Sequence, residues 1–164
     1  MKRPIQYCYW VSPGQLLAGE YPRDLDEKSS LLKLNALVQV GISAFIDLTE
    51  ERDGLLPYDD MLDGVHYQRF PVRDVSVPAS SEAMRIILDA IDDYISQEQV
   101  IYVHCWGGIG RTGTVVGCWL ARHGQEGQVA YDRLQELWRH NPKSVYRRSP
   151  ETLEQKQYIL DWRE

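Results

Sequence analysis

The chain has 164 residues, of which 43% are hydrophobic and 26% charged, and its formal net charge is −6. This length favours one domain, expected to span residues 1–164. The acidic balance argues against nucleic acid or an anionic membrane as a partner, because both favour a basic surface. The longest apolar run, residues 114–121, is far shorter than the ~20 residues of a membrane span. Residues 1–14 also lack the apolar stretch of a signal peptide, so we expect a cytoplasmic protein without membrane contact.

The three cysteines, Cys8, Cys105 and Cys118, are odd in number and far apart in the chain. Such spacing fits neither a disulfide framework nor a metal site. We therefore expect free thiols in a reducing compartment, and no metal. Cys118 falls in an apolar helical run, where it should act as a small hydrophobic residue.

The first third of the chain alternates strand and helix patterns. A strand pair is predicted over residues 9–11 and 16–19, around a Ser-Pro-Gly turn. Helical spacing of leucines predicts a helix over residues 26–40 that ends at Gly41, and residues 44–48 read as a buried strand. This alternation predicts an α/β sheet.

Polar residues lie at the exit of that buried strand, namely Asp47, Glu50, Arg52 and Asp53. An ordinary solvated loop is the favoured interpretation. The alternative is a contribution to a ligand site, because open α/β sheets place ligands at this edge. In that case Arg52 has the right sign for a phosphorylated substrate.

A strand is predicted over residues 65–70, in which His66 is interpreted as structural. A stiff loop follows at residues 71–78, with a proline at each end and Asp74 near its middle. Asp74 could place an acid in the site or merely cap a turn, and we favour the acid. Asp59, Asp60 and Asp63 are weaker candidates.

The second half of the chain is predicted from apolar periodicity and capping residues. Ser149, Pro150 and Glu151 indicate the start of the last helix, with Ser149 as its cap. The predicted elements are a helix beginning at Ser80 or Ser81, a strand over residues 100–103, and helices over residues 114–122, 126–140 and 153–162.

The run from His104 to Gly113, HCWGGIGRTG, connects that strand to the helix after it. Its glycines let successive backbone N–H groups converge on an anion, and the helix N-terminus favours negative charge there. Arg111 adds a planar fork that can hold two phosphate oxygens. The same surroundings favour the thiolate of Cys105, which we interpret as a nucleophile rather than a small packed cysteine. The run therefore predicts a phosphate-binding loop.

At these residues the sequence resembles the protein tyrosine phosphatase superfamily, with the signature His-Cys-x5-Arg-Ser/Thr, and most closely its short dual-specificity branch of bacterial type. The resemblance implies that Cys105 attacks phosphorus, that Arg111 holds the equatorial oxygens and that Thr112 assists breakdown of the phosphocysteine. It also implies that Asp74 is the general acid. The run Ser-Pro-Glu-Thr-x-x-Gln resembles the family's C-terminal motif and directs attention to Gln155. A carboxamide there could contact phosphate and water, or be a surface helix residue.

The predicted fold is a single α/β domain with a mainly parallel central sheet flanked by helices. The predicted activity is hydrolysis of phosphomonoesters on phosphoproteins, by a monomer that needs no cofactor. Alternatives are a phosphatase of inositol phosphates or other small phosphoesters, a non-catalytic phosphate-binding module, and a rhodanese-like or arsenate-reducing thiol enzyme. The uncharged loop residues favour the phosphoprotein. Predicted substrate-binding residues are Trp106, Gly107, Gly108, Ile109, Gly110 and Gln155.

Overall fold

The computed structural model describes all residues from 1 to 164. It contains five strands and five α-helices around one sheet. In chain order they are β1 (Cys8–Ser12), β2 (Leu16–Gly19), α1 (Glu27–Gln39), β3 (Ile42–Asp47), β4 (His66–Arg69), α2 (Ser81–Ser96), β5 (Val100–His104), α3 (Gly110–Arg122), α4 (Gln128–Trp138) and α5 (Leu153–Asp161).

The sheet has the strand order β1-β2-β5-β3-β4, in which only the β1–β2 pair is antiparallel. This confirms the predicted mainly parallel α/β sheet. Strand β5 is central, and both faces of the sheet are buried at this strand. Its adjacent residues Ile101 and Tyr102 therefore belong to different apolar clusters. The larger cluster has 28 buried residues and packs against α2 to α5, while the smaller has 11 and packs against α1.

Helix boundaries follow capping chemistry in most places. Asp26 caps α1 by accepting from the backbone N–H of Ser29. Of the two predicted starts of α2, Ser80 is the cap, because it accepts from the backbone N–H of Ala83. Helix α3 begins at Gly110, four residues before the predicted start at Thr114. The reason is that the arginine of the signature lies in its first turn rather than in the loop before it.

The predicted cap of the last helix was wrong. Thr152 caps α5 and forms a reciprocal capping box with Gln155. Ser149 instead donates its hydroxyl to the carbonyl of Ile109, 2.7 Å away. Ser149 thus hydrogen-bonds to a carbonyl group far away in the chain, although the local sequence pattern assigns it to the helix start.

Three short 3₁₀ helices occupy the connections, at Glu51–Asp53, Asp59–Met61 and Pro142–Val145. The second begins directly after Tyr58. All three connections bring residues to the carboxyl end of the sheet. None of the helices combines the length and apolar character needed to cross a membrane.

Candidate active site

The site is built on residues 105–111, here called the cysteine loop, which run from the end of β5 into the first turn of α3. Because β5 is flanked by the parallel strands β2 and β3, the loop leaves the middle of the sheet at its carboxyl edge. Cys105 is the first residue after β5 and is only 3% exposed. The loop ends at the N-terminus of a 13-residue helix, whose first N–H groups have no helical partner.

Three segments hold carbonyl groups of the cysteine loop from outside. The carbonyl of Trp106 accepts from the Tyr21 backbone N–H at 2.9 Å, and that of Gly107 accepts from Lys143 Nζ at 2.9 Å. The carbonyl of Ile109 accepts from Ser149. In a trans peptide the following N–H points the opposite way, so these contacts turn the N–H groups after them toward the inside of the loop. No protein group accepts from the backbone N–H groups of residues 106–109.

Gly108 is required for this curvature. Its φ is +70°, and a Cβ there would lie 2.4 Å from the carbonyl carbon of Gly19 at the end of β2. Both the left-handed conformation and the close approach of two backbones exclude a larger residue. The sequence interpretation of the glycines therefore has a specific physical basis at this position.

Arg111 is 2% exposed and is held by one side of its guanidinium. Its Nη1 donates to Asp53 Oδ2 at 2.7 Å and to the carbonyl of Val72 at 2.9 Å. Nε and Nη2 are buried and donate to no protein group. Burial opposes the charge, but the neighbouring Cys105 and Asp53 outweigh it and raise the pKa of Arg111. The free edge of a charged guanidinium is the group that binds two oxygens of a phosphate.

For Asp53 the favoured interpretation, an ordinary solvated loop, was wrong, and the alternative of a contribution to the site is what the structure shows. Its side chain is 5% exposed, and its Oδ2 also accepts from the Glu50 backbone N–H. Burial raises the pKa of the Asp53 carboxyl. The hydrogen bonds from Arg111 and from Glu50 together lower this pKa by more than burial raises it, so the net shift is downward. Arg52, the alternative candidate, is 66% exposed and pairs with Glu50. Of the charged residues in this loop, Asp53 is the one that acts on the site, because its carboxylate orients Arg111.

A buried polar layer lies behind the cysteine loop. Asp47 is fully buried and accepts from the backbone and hydroxyl of Thr49 and from Tyr67. His104 Nδ1 lies 3.1 Å from the Cys105 carbonyl, which can only accept, so Nδ1 carries the hydrogen. Tyr58 then donates to His104 Nε2 at 2.5 Å. Burial lowers the pKa of His104, and the neutral imidazole fixes the peptide that follows Cys105.

Asp74 lies beside the cysteine loop, in the segment of residues 71–78 that we call the proline loop. It is about half exposed, at 48% of its side chain, and its Oδ1 lies 3.2 Å from Arg111 Nη2 without hydrogen-bond geometry. The same oxygen accepts from the Val75 backbone N–H at 3.0 Å. Val75 has φ of 51°, a conformation that costs a β-branched residue roughly 1–3 kcal/mol. The Asp74 carboxyl group is thus presented at the rim on a strained turn.

The pocket above Cys105 has a volume of about 200 Å³. It carries a second carboxylate that the sequence did not indicate, Glu151, whose Oε1 accepts from Arg147 Nη2 at 2.5 Å. Arg147 lies at the rim of the pocket. Larger cavities of about 410 Å³ elsewhere on the surface are not lined by a cysteine. The residues lining the pocket are Asp74, Cys105, Trp106, Gly107, Ile109, Gly110, Arg147 and Glu151.

Comparison with known proteins decides the family. The family model described as "Polymorphic toxin system, DSP-PTPase phosphatase" matches residues 25–125, more than half of the chain. The chain belongs to this family of dual-specificity-type tyrosine phosphatases. The matched region contains both Asp74 and the complete cysteine loop.

Individual relatives agree with that assignment. A protein of Invertebrate iridescent virus 3, named as a putative tyrosine phosphatase, is 27% identical over 157 residues, covering 84% of this chain and 61% of the viral one. A protein of Methanocaldococcus jannaschii is 33% identical over 92 residues, covering 56% of this chain and 52% of its own. The chain thus spans between half and two thirds of the length of these curated relatives.

Solved structures show the same fold. Tk-PTP in its active form superposes with a TM-score of 0.73 and 26% identity, covering 93% of this chain and 92% of that one. DUSP15 gives a TM-score of 0.69 and 20% identity, covering 95% and 86%. The phosphatase fold therefore extends over nearly the whole chain.

Thr112 of the family signature and Gln155 of the C-terminal motif are both buried, but they differ in their hydrogen bonds. Thr112 is fully buried in the first turn of α3, and its hydroxyl has no hydrogen-bond partner. Gln155 is also buried, so a surface position was wrong for it. Its Oε1 accepts from the backbone N–H groups of Glu151 and Thr152, and its Nε2 donates to the Ser76 carbonyl at 2.9 Å. Gln155 thereby ties α5 to the proline loop, and its contact with substrate remains a prediction.

Proposed function

We propose that this phosphatase-family chain hydrolyses phosphomonoesters through a phosphocysteine at Cys105. The observation that carries the proposal is the unpartnered donor set around the buried thiol. The Nε and Nη2 groups of Arg111 and the loop N–H groups have no protein acceptor. Buried donors without partners are costly, and a tetrahedral oxyanion seated on Cys105 supplies the missing acceptors.

The reaction consists of two displacements at phosphorus. In the first, the Cys105 sulfur bonds to phosphorus while the bond to the leaving oxygen breaks, and protonated Asp74 gives that oxygen its proton. In the second, Asp74 takes a proton from water, whose oxygen bonds to phosphorus as the S–P bond breaks. Arg111 stabilises the equatorial charge in both steps. The free hydroxyl of Thr112 is available to stabilise the departing thiolate.

Phosphoproteins are the substrate class that we propose. The side chains of the cysteine loop between Cys105 and Arg111 are uncharged, and phosphatases of inositol phosphates usually carry lysines there. Lys143 lies close to the loop, but its amine is engaged by Gly107 and by Glu20 at 3.0 Å. It therefore offers no free charge to a second phosphate. Small phosphoesters remain the alternative, since one structure of the same fold, PTPMT1, was solved in complex with PI(5)P, at 17% identity and a TM-score of 0.70.

A substrate panel tests this proposal. The protein is assayed on phosphotyrosine, phosphoserine and phosphothreonine peptides, on para-nitrophenyl phosphate and on inositol phosphates, with Cys105→Ser as the inactive control. We expect peptide turnover that vanadate inhibits competitively. Faster turnover of inositol phosphates than of every peptide would instead support the alternative, and absence of turnover on all substrates would reject the enzyme.

We propose that the protein acts in the cytoplasm and that it is a monomer. Its three cysteines are all unpaired and buried, which fits a reducing compartment. Burial raises the pKa of Cys8 to about 11 and raises that of Cys118 as well. Those two thiols are therefore unreactive at neutral pH. Localisation of a tagged full-length protein and its hydrodynamic size test both statements.

A further inference from the structure

A second cavity adjoins the phosphate pocket. It has a volume of about 450 Å³ and shares Trp106 with the pocket above Cys105. Its wall includes Asp53, the carboxylate that holds Arg111, so the two cavities meet across the same loop. We call this cavity the apolar groove, lined by residues 21–25, 53–56 and Trp106 with the exception of Pro22.

The exposed surface of the groove is apolar. Leu25 is 91% exposed, Leu56 is 43% exposed and Trp106 is 52% exposed. A single exposed leucine on a protein surface is ordinary, but three large hydrophobic residues around one cavity beside an active site mark a binding surface.

The charged groups of the groove are engaged by the protein itself. Asp24 accepts from Lys33 at 2.7 Å, and Asp53 is paired with Arg111. Arg23 donates through Nη1 to the Pro57 carbonyl at 2.8 Å. Apart from Arg23 Nε, which is buried without a partner, these groups are already bonded, and the hydrophobic side chains are left to contact a ligand.

We propose that the apolar groove binds a hydrophobic side chain of the substrate polypeptide, close in sequence to the phosphorylated residue. The inference rests on the proposed function, because the phosphate must occupy the pocket above Cys105. A substrate held there is in contact with Trp106, and an extended peptide advances about 3.3 Å per residue. A neighbouring side chain on that peptide can therefore lie on the other side of the indole ring and enter the groove.

Charge distinguishes a peptide from a lipid as the occupant. An acyl chain would also suit an apolar groove, but a phospholipid surface is anionic and attracts basic proteins. This chain carries a net charge of −6, which opposes binding to such a surface. The structure thus favours a phosphopeptide with a leucine, isoleucine, methionine or phenylalanine beside the phosphoresidue. Inositol phosphates carry no group for this surface.

The test uses the full chain and the double variant Leu25→Ser/Leu56→Ser. Both leucines lie outside the catalytic machinery and are exposed, so the fold should be unaffected. Leu32→Ser, which changes a 64% exposed leucine on α1, is the matched control. Substrates are para-nitrophenyl phosphate, a phosphopeptide with leucines flanking the phosphoresidue and its serine-flanked analogue.

We expect the wild type to prefer the leucine-flanked peptide by about tenfold in kcat/KM, the scale of burying one apolar side chain. The double variant should lose most of that preference through KM, while para-nitrophenyl phosphate is turned over within twofold of wild type, and Leu32→Ser should behave as wild type. Equal kcat/KM for both peptides in the wild type would overturn the inference while leaving the proposed function intact.

Two other outcomes are equally informative. If the wild type turns over a phosphorylated lipid in vesicles faster than either peptide, and the double variant loses that activity, the occupant is an acyl chain and the inference is wrong. If the wild type does not hydrolyse para-nitrophenyl phosphate either, the proposed function itself fails, and the inference with it.

Discussion

The cysteine loop and the proline loop form opposite sides of one pocket but are held very differently. Cys105 and Arg111 are 3% and 2% exposed, and the cysteine loop is fixed from outside by Tyr21, Lys143 and Ser149. Asp74 on the proline loop is half exposed. The difference teaches that the cysteine loop is fixed in shape without a ligand, whereas Asp74, the proposed acid, is positioned on a strained, solvent-facing turn. Binding and proton transfer should therefore be separable by mutation.

Replacing the nucleophile gives the largest expected effect. Cys105→Ser keeps the shape of the cysteine loop but leaves a hydroxyl that is scarcely ionised at neutral pH. We expect kcat to fall by roughly 10³-fold or more while phosphate-ester binding persists. Steady-state kinetics with a calorimetric binding measurement check both halves. Turnover above a tenth of wild type would exclude the covalent mechanism.

The next largest effect is expected for Arg111→Lys. Lysine supplies a point charge and cannot present two donors to phosphate while also donating to Asp53 and Val72. We expect a loss of roughly 10³–10⁵-fold in kcat/KM, the scale of an arginine that stabilises phosphoryl transfer. Near-normal kinetics would place the guanidinium outside the reaction.

Asp74→Asn tests the other side of the pocket. Without a proton to donate, we expect kcat to fall by roughly 10²–10⁴-fold for a poor leaving group. The loss in kcat/KM should shrink for phenolates with strong electron withdrawal, because these depart unaided. Measuring wild type and variant on aryl phosphates of graded leaving-group pKa gives the comparison. A constant loss along the series would make Asp74 structural.

A smaller effect is expected for Lys143→Met, which frees the Gly107 carbonyl. The peptide that presents the Gly108 N–H then loses its outer anchor, so we expect about a tenfold rise in KM and in the vanadate inhibition constant, with little change in kcat. Lys33→Met is the matched control, because Lys33 also pairs with Glu20 but does not contact the loop. Identical behaviour of the two variants would mean that the contact with Gly107 is unimportant.

The smallest effect concerns stability against pH. The folded-state pKa of Asp53 is lowered, so its contribution to folding is complete above its unfolded value of about 4 and disappears as pH falls through the folded value. The difference in unfolding free energy between wild type and Asp53→Asn should therefore be largest at neutral pH and diminish below pH ~4. A difference independent of pH would show that the Asp53 charge does not stabilise the fold.

The sheet class, the helices and the cysteine loop could be predicted from local sequence, because each depends on apolar periodicity or on a contiguous run of residues. The partners of that loop were not predictable in this way. Asp53 and Lys143 lie 58 and 36 residues from the groups they contact, and no periodic pattern marks either. Ser149 was assigned to a helix cap because a local rule cannot detect the carbonyl of Ile109.

The central claim is a covalent intermediate on a preformed anion site, and trapping tests it most directly. Wild type and Asp74→Asn are quenched in denaturant during turnover of an activated aryl phosphate, and their peptides are mapped by mass spectrometry. The account predicts phosphate on the peptide that contains Cys105. It also predicts more of it in Asp74→Asn, whose second step lacks the base, and none in Cys105→Ser. Full turnover with no phosphate on Cys105 in either active protein would contradict it.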